Sequence, residues 1–121
     1  MSERARFPSW VFGAGREPDP RFTLANERTF LAWIRTGLAL IAGGVALEAV
    51  SLPLEPGFKV AASIVLLAMG LAVPVLAWVG WGSTERALRR ERPLPASVVA
   101  LPLAVGVFAV GVLVVLGILF A

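Results

Sequence analysis

Apolar positions gather in three long stretches, and the charges fall in the gaps between them. Residues 30–47 are apolar except for Arg35, while residues 60–81 and 98–120 carry no charge at all. A helix needs about 20 apolar residues to cross a bilayer, so all three stretches qualify as spans. Asp19-Pro20 precedes the first and reads as a helix start, since Asp caps and Pro suits the first helical position. That helix is expected to run unbroken to about Val50. Two prolines and a glycine in the segment SLPLEPGFK then predict a short loop. Pro74 is expected to kink the second span, and Trp78 and Trp81 sit where an interfacial aromatic belt belongs. The second loop, GSTERALRRERPLP, should begin as a helical extension and stop before Pro93. The pattern therefore predicts an all-α integral membrane protein with three transmembrane helices. A tail occupies residues 1–18, and a three-span domain occupies residues 19–121, with spans at about 24–50, 60–81 and 97–120.

Composition supports this reading. The 121 residues are 58% hydrophobic and 16% charged, too apolar for a soluble domain of this size. The early arginines are not followed by the 7–15-residue apolar core of a cleavable signal peptide, so none is expected. Charge placement also predicts orientation. Five arginines precede or include Arg28 and four lie in the second loop, against Lys59 alone in the first loop. By the positive-inside tendency the N-terminus and second loop are cytoplasmic, and the C-terminus is extracytoplasmic. In the tail, Phe7, Trp10 and Phe12 are expected to rest on the headgroups.

Missing residue types remove whole classes of chemistry. The chain has no Cys, His or Tyr, which excludes a disulfide, a thiolate nucleophile, an imidazole base and the usual transition-metal ligands. No dinucleotide, P-loop or metal-ligand motif appears. We expect no cofactor, no metal, no nucleic-acid partner and no enzymatic activity.

The candidate chemistry lies in Asp19–Val50. At 100° per residue, Arg28 and Arg35 fall nearly in line, seven residues apart, and Arg21 extends the line by another seven. Ala32, Ala39, Ala42, Gly43 and Ala46 share that side, which makes it a helix-packing face, with Ala39 and Gly43 forming a small-xxx-small pair. Asn26, Phe30, Trp33, Leu40, Ile41 and Gly44 fall on or near the opposite side. Arg35 lies about 7.5 Å deeper than Phe30 at 1.5 Å per residue. It either snorkels back to the headgroups or lines an interior that meets anions. Arg28 sits near the surface, with Asn26, Glu27 or Glu85 as candidate partners; Asn26 and Glu27 are supporting polar residues. Guanidinium pairs well with phosphate, so the three arginines form a candidate anion-binding ladder. The second-loop arginines are read as topology determinants in contact with anionic lipid.

The stretch Leu24-Ala25-Asn26-Glu27-Arg28-Thr29-Phe30-Leu31-Ala32-Trp33-Ile34-Arg35-Thr36 closely resembles the signature of the YidH family of small bacterial inner-membrane proteins, domain of unknown function family 202. The Asp-Pro-Arg-Phe lead-in and a basic second loop ending in Leu-Pro agree with it. The resemblance covers roughly residues 17–121 and implies a multi-pass protein of the bacterial inner membrane. A related three-span module looks like the membrane part of the eukaryotic vacuolar transporter chaperone complex. There, five modules surround a polyphosphate path lined by basic residues of the first span. That likeness implies a homo-oligomer, with five as the copy number it suggests, Arg28 and Arg35 at the lining and phosphate or polyphosphate as ligand. The alternative is a non-conducting membrane adaptor whose small-residue face docks a partner protein.

Overall fold

The computed structural model describes residues 6–121 and consists of four helices: α1 (Ser9–Phe12), α2 (Pro20–Ala49), α3 (Pro56–Arg89) and α4 (Ala100–Leu119). Three of them are long and apolar enough to cross a membrane. The expected start of α2 is present. Asp19 accepts a hydrogen bond from the Arg21 backbone amide, and Pro20 occupies the first helical position. Glu55 and Pro56 begin α3 in the same way, with the Glu55 carboxylate accepting from the Phe58 amide.

The middle helix, α3, is the hub. α1, α2 and α4 each pack on it, and no Cα of α2 lies within 8 Å of one in α4. Close approach of α2 and α3 depends on missing side chains. A Cβ on Gly70 would lie 2.4 Å from Ile41 Cγ1, and one on Gly44 would lie 2.8 Å from Leu67 Cγ. Bilayer lipids give apolar side chains no reason to leave them, so such close van der Waals contact is what holds membrane helices together. α3 runs continuously through Pro74. Proline there has no N–H for the Gly70 carbonyl, and the backbone of Gly37 lies against that same carbonyl. Leu40, Val73, Ala77 and Val99 form the core, with Phe30, Trp33, Leu66 and Met69 around it.

α4 is peripheral. It rests Gly106 on Met69 and Gly117 on Leu54 and Phe58, while Leu101, Phe108 and Leu119 point outward and exposed. The Glu55 amide donates to the Gly117 carbonyl at 2.9 Å and ties the first loop to the end of α4.

The tail folds onto the end of α3, with Phe7 and Trp10 still exposed on its outer side. Phe7 stacks on Trp78, Phe12 faces Trp81, Trp10 lies over Gly82, and Val11 is completely buried. The physical cause is Arg89. Its guanidinium, 2% exposed, donates to the carbonyls of Ala14 at 2.7 Å and Phe12 at 3.0 Å and pairs with Glu17 at 3.3 Å. α3 also extends well past the apolar span, to Arg89, and so carries Glu85 and Arg86 on a helix. Residues 1–5 lie outside the described part.

Candidate functional site

α2 presents two faces with different fates. Asn26, Gly37, Leu40 and Gly44 are buried, and Phe30 and Trp33 are half-buried, all toward α3. Arg28, Arg35, Ala32, Ala39, Ala42 and Ala46 are exposed, on a face that neither α3 nor α4 covers. Gly43 sits at its edge, within reach of Leu66. Packing inside the chain therefore falls to Gly37, Leu40 and Gly44, and the small-residue face is left bare.

The depth of Arg35 follows from its neighbours in sequence. Phe30 meets Trp78 edge-on at 6.3 Å, whereas Gly37 lies opposite Gly70 and Pro74. Arg35 thus belongs between the aromatic layer and the middle of α3. Among the described residues, neither Arg28 nor Arg35 has a hydrogen-bond or ion-pair partner. Arg21 is different. Its guanidinium closes on its own cap, with Arg21 Nη2 at 2.8 Å from Asp19 Oδ2. That contact, helped by the Arg21 amide, holds the Asp19 carboxyl below the usual carboxylate range.

The supporting polar residues also separate. Glu27 is exposed with no partner among the described residues. Asn26 turns away from the arginines, because its position on the α3 side gives it better acceptors. Its amide nitrogen donates to the Trp81 carbonyl at 3.0 Å and to Glu85 Oε1 at 3.1 Å. The Thr23 hydroxyl donates to the other oxygen of Glu85 at 2.8 Å. Glu85 is 1% exposed, so these two neutral donors satisfy a carboxylate removed from water. Glu85 is not a partner of Arg28.

Glu85 and Arg89 have roles that sequence reasoning did not assign: Glu85 accepts from Asn26 and Thr23, and Arg89 clamps the tail. A signal for them exists: Val73, Ala77, Trp81, Glu85 and Arg89 follow each other at four-residue steps. The inward stripe of α3, half-buried at Trp81, thus continues from apolar into charged residues.

Residues 21–87 match the family model described as Domain of unknown function (DUF202). The chain belongs to the DUF202 family. The match takes in α2 and most of α3, including Asn26, Arg28, Arg35 and Glu85, and leaves out the tail and α4. An uncharacterized protein of Mycobacterium tuberculosis strain H37Rv is 44% identical over 97 residues, covering 79% of this chain and 80% of its own length. Inner membrane protein YidH of Escherichia coli K12 is 38% identical over 86 residues, covering 67% of this chain and 71% of its own. No solved structure gives a significant match. Three apolar spans and a homologue of the inner membrane identify this DUF202 protein as a multi-pass inner-membrane protein.

Proposed function

We propose that several copies of this chain assemble around the bare face of α2, and that Arg28 and Arg35 line a shared path. That path binds or conducts anions of the phosphate or polyphosphate class. The observation that carries the reading is the pairing of two features on one face. Small residues there are left uncovered by the chain's own helices, and the arginines among them have no acid within the described chain. A guanidinium inside the hydrocarbon costs about 2.5–3.5 kcal/mol even on lenient scales. An anion or hydrated interior relieves that cost, and the alanines let copies approach closely.

Three helices in one chain enclose no wide path, so the lining must come from a symmetry axis. A ring of arginines repels itself in low dielectric, which makes bound anions or water part of the assembly. Five copies is the number implied by the likeness to the vacuolar transporter chaperone module. The excess of arginine at the N-terminus and second loop supports a cytoplasmic position for both, by the positive-inside tendency. The protein acts by binding and passage, without a catalytic step.

Phosphate flux into liposomes tests the reading. Reconstituted native protein should conduct, and Arg35→Ala should lower flux at least tenfold. A silent native protein, or unchanged flux in Arg35→Ala, would sink the conduit. It would turn attention to a docking role, tested by loss of a stoichiometric membrane partner on Ala39→Leu.

A further inference from the structure

The end of α3 and the tail form a second basic site, apart from the bare α2 face. Arg86, Arg90 and Arg92 line an open cleft of about 240 Å³ together with Trp10, Ser83 and Pro95. No acidic residue lines it. The acids nearby are engaged elsewhere: Glu85 with Asn26 and Thr23, Glu17 with Arg6 and Arg89, Glu91 with Arg16, and Asp19 with Arg21.

Arginines at the end of a helix often serve to cap its last carbonyls. Here that task is already done by backbone amides. Arg90 N–H donates to the Arg86 carbonyl at 3.1 Å, Arg92 N–H to Ala87 at 2.9 Å, Glu91 N–H to Leu88 at 3.3 Å, and Arg16 N–H to Arg89 at 2.9 Å. Glu91 takes the left-handed conformation, φ 53°, that closes this turn and sends Arg92 back toward α3. None of the three guanidinium groups in the cleft has a hydrogen-bond or ion-pair partner among the described residues. Arg86 and Arg90 are four residues apart, a like-charge spacing that is unfavourable without a counter-ion.

The chain that leaves the cleft through Pro93 and Pro95 is apolar. Leu94, Val98 and Leu101 are exposed where the loop enters α4, and Trp10 forms one wall, seated over Gly82. A cationic cleft beside an apolar rim and an indole matches a molecule with a phosphate at one end and hydrocarbon at the other.

We propose that Arg86, Arg90, Arg92 and Trp10 form a binding site for the phosphate of an anionic phospholipid headgroup, in the leaflet on the side of the N-terminus. Guanidinium groups recognise the phosphodiester through charge-assisted, bidentate hydrogen bonds, while the acyl chains lie along the start of α4. The site is on α3 and the tail, so its success or failure is independent of the role assigned to Arg28 and Arg35.

The full chain in phosphatidylcholine nanodiscs provides the test, with dioctanoyl phosphatidylglycerol titrated and binding read by native mass spectrometry. Dioctanoyl phosphatidylcholine and glycerol 3-phosphate serve as the comparison probes. Phosphatidylglycerol should bind at least tenfold more tightly than either. The Arg86→Gln/Arg90→Gln double variant should lose that advantage, as should Arg92→Gln, which lies beyond the helix, in part. Lys59→Gln, which neutralises a charge in the first loop, should keep it. Equal binding of the two lipids, or native affinity in the double variant, overturns the site. Glycerol 3-phosphate binding as tightly as the lipid overturns the lipid source and assigns the cleft to soluble phosphates.

Discussion

Glu85 holds a nearly dry carboxylate on two neutral donors, and the donors need it as much as it needs them. Removing it leaves the Thr23 hydroxyl without its acceptor and the Asn26 amide with the Trp81 carbonyl alone. A buried polar group without a partner costs about 1–3 kcal/mol. Glu85→Ala should therefore destabilise the protein by about 2 kcal/mol more than Glu85→Gln. The glutamine keeps one acceptor for Asn26, and its amide can donate to Thr23 once that hydroxyl rotates. Thermal unfolding in detergent micelles measures the difference; equal losses would mean that shape alone matters there. Asp19 is a contrasting acid, fully exposed and paired with Arg21. Its pKa is lowered by that pairing, so its contribution to the start of α2 is present above the ordinary carboxylate range. It is lost as pH falls through the depressed value. Protection of the Arg21 amide, its exchange relative to that of the unstructured chain, should hold at neutral pH and fall only below the ordinary carboxylate range. Loss of protection near pH 6 would refute the assignment.

At the level of elements, the α2–α3 contact rests on Gly44 and Gly70, and the second is the more exacting. A side chain at Gly70 meets Ile41 and the Gly37 backbone at once, so Gly70→Leu should cost about 1–3 kcal/mol through overpacking. Gly111, whose position faces open space, should accept Leu without loss of melting temperature. The three spans were legible because long uncharged runs leave few alternatives to a helix in a bilayer. The division of α2 into two faces was legible too, since Asn26, Phe30, Leu40, Ile41 and Gly44 follow the helical period, but which face meets α3 was not. The tail was not. Its docking depends on Arg89 reaching the carbonyls of Phe12 and Ala14, more than 70 residues away in sequence. Its turn at Gly15, φ +51°, brings the backbone against the Arg89 carbonyl, a closeness with no periodic trace. The closing turn after α3 was hidden for a similar reason: Glu91 stands where glycine would have announced it.

For the whole molecule, the bare face of α2 sets the question of assembly, and the absence of cysteine makes it answerable. A single thiol introduced by Ala39→Cys is the only one in the chain. In native-like membranes it should form disulfide-linked dimers on mild oxidation, whereas Leu101→Cys, exposed on α4, should not. The reverse pattern would place α4 at the interface and remove Arg35 from any shared axis. The candidate site was legible only as a stripe of residue types on α2. Which donors serve Glu85 was not, because Asn26 and Glu85 meet across 59 residues through the fold.

The clamp on Arg89 also puts a clock into the protein's synthesis. Glu17 leaves the ribosome 72 residues before its partner, a gap of roughly 4–15 s at about 5–20 residues per second. Until α2 and α3 have both been inserted, the tail has nothing to hold. A nascent chain arrested before Arg89 should therefore present Phe12–Glu17 to added protease, and one arrested well beyond it should not. The start of this protein is among the last of its parts to find its place.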